Sequence, residues 1–241
     1  MKRCTLALLW FAFGASGPAM AGVNEGLAAY KKKDYTIALR ELLPAAMGGN
    51  VQAQQKVWFM YANGQGTIRD LSEAAKWMRT AAEQGDVASL SELGAAYANG
   101  HGVAHSDVEA AKWYRLAALK GDLAGQRYLA VAYEEGIGVP QDHVESRRWY
   151  RAAAGRGDAH ALYKLGTMYA SGSAGVKSAT AAYALWTLSG AADASAANRA
   201  LKNRAVLANN MRAGEITEAE ELARTMGEPG KLLETLEAYV K

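Results

Sequence analysis

The spacing between equivalent residues constrains this chain more than any other feature of its sequence. A tyrosine, a glycine and a polar residue each return after 36 residues, through four successive stretches. The tyrosines are Tyr61, Tyr97, Tyr133 and Tyr169, the glycines are Gly64, Gly100, Gly136 and Gly172, and the polar residues are Asn50, Asp86, Asp122 and Asp158. Because periods of roughly 20 to 50 residues are typical of repeat proteins, the sequence predicts a stack of similar repeats.

Each repeat is predicted to form two antiparallel helices. Pairs such as Gly85-Asp86 place a glycine after one helix and an N-capping aspartate before the next. The first helix of the repeat then follows, for example over residues 87–98, with apolar residues at helical spacing. The second helix begins at a capping box, as in Ser106-x-x-Glu109.

Two glycines separated by one residue lie between the two helices, as in Gly100-His101-Gly102, and could indicate a phosphate-binding loop. A dinucleotide fingerprint needs a preceding strand and a third glycine that opens the following helix. Here a predicted helix precedes the loop, and the same loop recurs in other repeats. We therefore interpret the glycines as turn residues, which adopt positive φ without steric cost, and not as a nucleotide site.

Large aromatic residues are predicted to fill the space between repeats. Trp77, Trp113 and Trp149 keep the 36-residue spacing, whereas Trp186 comes one residue late, which we interpret as an insertion in the preceding loop. Trp58 stands where later repeats have a small residue, and we expect it to pack on the helix pair before it. Since each repeat must bury its apolar face on its neighbours, these rings are interpreted as core and not as a ligand platform.

The N-terminal stretch differs in kind from the repeats. Two basic residues precede an apolar run over residues 5–13, and Ala19-Met20-Ala21 then supplies the small residues that a signal peptidase recognises. The apolar run is too short to span a bilayer as a permanent helix. We therefore predict a cleavable signal peptide over residues 1–21, a mature chain from Gly22 in the periplasm or outside the cell, and no stable membrane insertion after cleavage.

Cleavage at this point would leave a nearly neutral chain without cysteine. Removal of Lys2 and Arg3 leaves 25 basic against 24 acidic residues, and Cys4 is the one cysteine of the sequence. The predicted mature chain therefore has no disulfide, thiol nucleophile or thiolate metal site. Its charges form no cluster that would indicate a nucleic-acid partner.

The candidate catalytic and metal-binding residues form no recognisable set. His101, His105 and His143 lie on predicted loops in an arrangement that other repeats do not share, so we interpret them as solvated. Glu134 and Glu135 are adjacent, and on a helix they point about 100° apart. The sequence has no nucleophile elbow, no His-Glu-x-x-His pair and no Walker loop. No catalytic residue, no metal site and no cofactor are therefore predicted.

The repeats resemble the Sel1-like repeat family, the 36-residue relatives of tetratricopeptide repeats. The resemblance rests on the stretches Leu-Gly-x-x-Tyr, Gly-x-Gly-Val and Ala-Ala-x-Trp-Tyr, which stand here at 93–97, 100–103 and 110–114. Four repeats are assigned to residues 50–193, at 50–85, 86–121, 122–157 and 158–193. Residues 22–49 are predicted to form a shortened first helix pair, and residues 194–241 a C-terminal helical cap.

The resemblance implies an all-α fold, a right-handed α-solenoid of antiparallel helix pairs that serves as a protein-binding scaffold. Bacterial members are often exported, which agrees with the predicted signal peptide. A cysteine-rich subgroup is linked to β-lactam binding, an activity that should not be transferred to a chain without those cysteines. The sequence thus favours an exported, non-catalytic scaffold in the bacterial envelope or outside the cell, whose partner is a protein or peptide. The alternatives are an envelope enzyme or enzyme subunit acting on peptidoglycan or a polysaccharide, and a purely structural assembly partner; the oligomeric state is left open.

The partner-binding groove is predicted at positions of the first helices that differ between repeats, because the repeating positions already serve the core. Two of these helices carry the adjacent pairs Arg127-Tyr128 and Tyr163-Lys164, which mix aromatic and cationic groups as binding hot spots do. Their joint replacement by alanine is expected to abolish binding and to leave stability unchanged. The full predicted set is Gln55, Phe59, Arg127, Tyr128, Tyr163 and Lys164.

Overall fold

The computed structural model describes residues 18–173 and 175–241, and the regular elements within these ranges are all α-helices. The predicted all-α class is therefore confirmed. Of the predicted signal peptide, residues 1–21, the first 17 lie outside the described residues. Its cleavage therefore stays a prediction. The chain divides into two compact bodies, a first body that ends at Gln84 and a second body over Gly85–Lys241.

The described part of the first body contains four helices, each packed on the next. They are α1 (Pro18–Lys31), α2 (Tyr35–Met47), α3 (Val51–Asn63) and α4 (Leu71–Glu83). A short turn joins α1 to α2 without a Gly-x-Gly loop, and its Lys33 has a φ of 66°. The core is made mostly of small and aliphatic side chains, of which Ala38, Leu42, Ala53, Val57 and Met60 are fully buried.

The second body contains the remaining described helices. They are α5 (Val87–Asn99), α6 (Asp107–Leu119), α7 (Leu123–Glu135), α8 (His143–Ala154), α9 (Ala159–Ser171), α10 (Ala179–Ala192), α11 (Ala194–Ala208), α12 (Ala213–Met226) and α13 (Leu232–Tyr239). From α5 to α10 each helix packs on the next, α11 and α12 both pack on α10, and α13 packs on α12. The fully buried core includes Leu129, Tyr150, Leu165, Tyr169 and Leu185.

The capping residues predicted from the sequence begin helices α5 to α9 of the second body. The Asp86 carboxylate accepts a hydrogen bond from the backbone N–H of Ser89 at 2.9 Å, at the start of α5. The Ser106 hydroxyl accepts one from the N–H of Glu109 at 3.3 Å, at the start of α6. Each bond satisfies a backbone donor that the helix itself leaves without a partner, so the caps set the point at which each helix begins.

The two glycines of each loop have different structural roles. The first, for example Gly136 with a φ of 72°, is the left-handed C-cap of α7, as the sequence predicts. The second, Gly138, has a φ of 70° and lies against the first turn of α6, where an added Cβ would overlap the backbone carbonyl of Asp107. In the first body Gly66 lies against the backbone of Tyr35 in the same way. The second glycine therefore allows a close contact between backbones, in addition to the turn.

The insertion inferred from the position of Trp186 was wrong. Ser106, Asp142 and Ser178 are the N-caps of α6, α8 and α10, and they keep the 36-residue step without a break. The loop before α10 therefore has the same length as its predecessor. Trp186 does not continue the row of Trp149, because that position of α10 is taken by Leu185.

Trp186 instead stands in a second row of large side chains, which also contains Tyr114 and Tyr150. All three are buried. The rings of Tyr114 and Trp186 lie against Gly94 and Gly166 of the first helix in the same repeat, where a Cβ would have no room. All three rings of this second row are core residues, whereas the predicted tryptophan row is mixed, since Trp149 is buried and Trp113 is only half-buried.

Candidate functional site

Four of the six predicted groove residues line one cleft of the second body. Arg127 and Tyr128 of α7 and Tyr163 and Lys164 of α9 face a cavity of about 740 Å³, which we call the cleft. The 36-residue repeat explains the convergence, because Tyr163 and Lys164 occupy in α9 the positions that Arg127 and Tyr128 occupy in α7. The rest of the wall comes from α7, α9 and the start of the C-terminal helices, with Val131, Glu135, His160, Asp193 and Arg199.

The other two predicted groove residues belong to the first body. Phe59 is 39% exposed, and its ring makes an edge-to-face contact with Trp58 at a centroid distance of 5.8 Å. Gln55 is half-buried on the same helix, α3. Their part in partner binding stays a prediction.

Arg127 is held in place by a buried carboxylate. One guanidinium N–H group donates to Asp158 at 3.2 Å, and the Asp158 side chain is only 7% exposed. The same Asp158 caps α9 by accepting from the N–H of Ala161 at 2.8 Å. The guanidinium also lies 5.1 Å from the ring centroid of Tyr128. The position of Arg127 is therefore set by the start of the next repeat and by its aromatic neighbour.

Lys164 is held by a second network. Its ammonium group donates to Glu134 of α7 at 2.9 Å, and the hydroxyl of the fully buried Tyr150 donates to the same carboxylate oxygen at 2.7 Å. Burial, together with the hydrogen bond to Glu134, raises the pKa of Tyr150, so this hydroxyl keeps its proton and acts as a donor. Alanine at Arg127 or Lys164 would leave Asp158 or Glu134 without its cation. We therefore expect such replacements to cost stability, contrary to the sequence-based expectation.

Tyr163 is fixed through its backbone and its hydroxyl. The indole N–H of Trp186 donates to the Tyr163 carbonyl at 3.1 Å. The amide group of Asn203, on α11, donates to the Tyr163 hydroxyl at 3.4 Å. The aromatic core and the C-terminal helices thus support the wall of the cleft directly.

His160 is a cleft residue that the sequence analysis missed. It lies on α9 one turn before Tyr163 and Lys164, and it faces the ring of Tyr150 at a centroid distance of 6.4 Å. Burial lowers the pKa of His160, and the nearby cations Lys164 and Arg127 lower it further, so the imidazole is neutral at pH 7. Equivalent positions in the other repeats hold Gln52, Ala88 and Ala124. This variation between repeats is the signal by which His160 could have been found.

We expect His160 to make the second body less stable as the pH falls. Its pKa in the folded protein is below the ordinary value of 6.5, so the unfolded chain takes up a proton first. Stability is therefore lost as the pH falls from about 6.5 through the lowered pKa. Urea midpoints at pH 7.5 and pH 5.5 should differ less for His160→Gln than for the wild type. His101→Gln, on an exposed loop, is the control. If His160→Gln loses as much stability between pH 7.5 and pH 5.5 as the wild type does, this role of His160 is contradicted.

A smaller apolar pocket adjoins the cleft. It has a volume of about 290 Å³ and lies between α5, α6 and α7. The rings of Tyr114 and Tyr128 stack within it at 4.9 Å, and both Tyr128 and Val131 line the pocket and the cleft alike. The pocket is open because many of its lining side chains are small, namely those of Ala95, Ala98, Ala110, Ala111 and Ala132. We call this cavity the apolar pocket.

Two kinds of site are absent from the described part of the chain. Over residues 18–173 and 175–241, no group of three His, Cys, Asp or Glu side chains is placed to hold a metal ion. His105 and Asp107 of the candidate loop set form a simple pair at 3.2 Å. Within the same ranges, no helix combines the length and the apolar character needed to cross a membrane.

The fold and the cleft define the class of protein. Repeated helix pairs that present variable side chains from their first helices are the architecture of an α-helical repeat scaffold. The family model described as the Sel1 repeat matches residues 59–86, 87–122, 123–158 and 159–193, which together make up more than half of the chain. The chain belongs to the Sel1 repeat family. The predicted family and the predicted all-α repeat solenoid are both confirmed.

Solved structures agree with this assignment. A protective antigen present in uropathogenic Escherichia coli strains, which displays an SLR fold, is 32% identical over 84% of this chain with a TM-score of 0.75. This chain spans 46% of the length of that protein. A Sel1 repeat protein from Oxalobacter formigenes is 27% identical, with a TM-score of 0.68, over 90% of this chain and 98% of that one. A comparison with curated protein sequences gives no match.

Proposed function

We propose that this chain is an exported, non-catalytic scaffold that binds another protein in the bacterial envelope or outside the cell, and that the cleft is its binding site. Sel1 repeats typically mediate protein–protein interactions and are generally non-catalytic scaffolds. The proposal goes beyond this family property in naming a location and a site. The protective antigen from Escherichia coli supports a location in contact with the surroundings of the cell.

The convergence of Arg127, Tyr128, Tyr163 and Lys164 on one cleft is the observation that carries the proposal. Tyrosine and arginine dominate binding hot spots, since their large, rigid groups combine apolar contact with hydrogen bonding. Asp158 and Glu134 set the positions of Arg127 and Lys164 in advance, which lowers the entropic cost of ordering these two side chains on binding. A cleft whose cationic side chains are held in place before a ligand arrives suits recognition of a partner.

Export predicts a mature N-terminus at Gly22. Ala19-Met20-Ala21 follows the apolar run at the distance that a signal peptidase requires. Intact-mass analysis of the protein purified from the envelope fraction of its native cell should therefore show a chain that lacks residues 1–21. A cytoplasmic chain that retains Met1 and Cys4 would contradict the export part of the proposal.

In-cell crosslinking tests the binding function. Wild type and Tyr128→Ala would be crosslinked in the native cell, and the captured proteins compared by mass spectrometry. Leu116→Ala is the matched control, because Leu116 is an exposed apolar residue of α6 that does not line the cleft. We expect one protein to be captured by the wild type and the control and lost from Tyr128→Ala. Release of soluble products from peptidoglycan or polysaccharide by the purified protein would instead favour the enzyme alternative.

A further inference from the structure

The short helix α13 contacts α8 as well as α12. The Leu233 side chain lies against Gly155, where an added Cβ would approach it to 3.1 Å. Arg151 of α8 donates a hydrogen bond to the carboxylate of Glu237. Glycine directly after α8 is specific to this repeat and leaves room for Leu233. The equivalent positions of the two preceding repeats hold Glu83 and Leu119.

Arg151 has a different partner from the arginine one repeat earlier. Arg115 stands 36 residues before it, donates to the Tyr133 hydroxyl at 2.6 Å and lies 5.4 Å from the centroid of that ring. The residue equivalent to Tyr133 is Tyr169, so the repeat predicts a bond from Arg151 to the Tyr169 hydroxyl. In the structure Arg151 instead bonds with Glu237 of α13.

The Tyr169 hydroxyl is buried without this partner. The tyrosine is 1% exposed, and within residues 18–173 and 175–241 its hydroxyl has no hydrogen bond. Burial of a hydroxyl that has lost its bonds to water costs free energy unless a new bond forms. With α13 in place, Glu237 therefore has a cation and Tyr169 does not.

The contacts that hold α13 are few. Its helix has eight residues, below the about 12 that an isolated helix needs to be marginally stable in water. Leu236 is its one fully buried side chain, whereas Glu237 is 54% exposed. The Tyr239 hydroxyl donates to Glu218 of α12 at 3.0 Å, and residues 227–231, which connect α12 to α13, are all exposed. Segments with so few buried contacts open at a lower free-energy cost than the core does.

We propose that α13 is a releasable helix and that Arg151 exchanges between two partners. In the docked state Arg151 bonds with Glu237. In the released state Glu237 returns to water, and Arg151 donates to the Tyr169 hydroxyl as Arg115 does to Tyr133. Because Arg151 has a partner in each state, its bonds largely cancel in the free-energy difference, and a ligand that binds one state better would shift the equilibrium.

Release would uncover an apolar surface. A cavity of about 340 Å³ lies between the turn after α8, the end of α10 and the segment after α12. Its wall includes Leu162, Leu188 and Met226, and α13 contributes Leu232. When α13 leaves, this wall opens and the apolar side chains become accessible, so the released state presents a second surface apart from the cleft.

Amide hydrogen exchange of the purified protein tests the release. We expect the amides of α13 to exchange faster than those of α10 in the wild type. Glu237→Gln, which weakens the docked state, should speed exchange in α13 about tenfold, the usual effect of losing one charge-assisted bond. Tyr169→Phe, which removes the released-state partner and the buried hydroxyl, should slow it about tenfold. Tyr133→Phe is the matched control and should leave the ratio of α13 to α10 exchange unchanged.

The Arg151→Met background shows whether both effects pass through this arginine. There Tyr169→Phe should no longer change exchange in α13, because neither state has the guanidinium. Exchange of α13 no faster than that of α10 in the wild type would mean that α13 is a fixed part of the fold. That result would overturn the proposal. An unchanged α13 rate in Tyr169→Phe, or equal slowing of α13 and α10, would overturn it as well.

Discussion

Gly138→Ala is expected to destabilise the second body by roughly 2–5 kcal/mol, among the largest effects of any single-methyl addition in this protein. Two costs combine at this position. The φ of 70° disfavours any residue with a Cβ, and the added methyl group would overlap the Asp107 carbonyl at the start of α6. The Asp107 carbonyl belongs to the capped first turn of α6, so it has little freedom to move away from the added methyl group. Urea denaturation followed by far-UV circular dichroism would measure the loss.

Gly121→Ala separates the two costs. Gly121 has a φ of 82°, but an added Cβ there would meet no atom within 4 Å. Its replacement should therefore cost only the backbone strain, on the order of 1–2 kcal/mol. Equal losses at Gly121 and Gly138 would show that the close approach of the loop to α6 contributes nothing.

Trp186→Ala is expected to cost roughly 3–5 kcal/mol, the usual range for removal of a buried aromatic side chain. The Trp186 ring is 5% exposed, it lies against Gly166, and its indole N–H donates to the Tyr163 carbonyl. The change therefore leaves a cavity beneath the cleft and removes one of the hydrogen bonds to this carbonyl, which still accepts from the hydroxyl of Thr167. Because each repeat depends on its neighbours, the loss should extend beyond α9 and α10.

Trp113→Ala is the comparison that tests whether Trp113 and Trp186 occupy different positions in their repeats. Trp113 is half-buried and belongs to the outer of the two rows, so we expect a loss of about 1–2 kcal/mol, below the range for a fully buried ring. Chemical denaturation of both variants would measure the two losses of unfolding free energy. A loss at Trp113 as large as that at Trp186 would show that the half-buried Trp113 contributes as much to the core as the buried Trp186.

The helix pattern was predictable because capping residues act locally. Asp86 and Ser106 each bond to an N–H group three residues further on, so the sequence around them contains the whole interaction. The position of Trp186 within its repeat was mistaken because it was matched to the other tryptophans and the N-caps were not compared. Trp186 occupies the position that Tyr114 and Tyr150 hold in the two preceding repeats, as the N-cap Ser178 shows.

The candidate site was predictable in part. The 36-residue step places the variable positions of α7 and α9 side by side, which is why Arg127 and Lys164 could be assigned to one cleft. Their partners could not be found in the same way. Asp158 reads in the sequence only as a helix cap, and Glu134 only as one of two adjacent acids, because their ion pairs join different helices.

The most direct test of the cleft as the binding site is photo-crosslinking from single positions in the native cell. A benzoyl-phenylalanine would replace Tyr128, Tyr163 or, as a control, Leu116 on the exposed face of α6. We predict that the same protein is captured from Tyr128 and from Tyr163, and that it is not captured from Leu116. Capture from Leu116 alone, or no capture from either cleft position, would contradict the assignment of the binding site to the cleft.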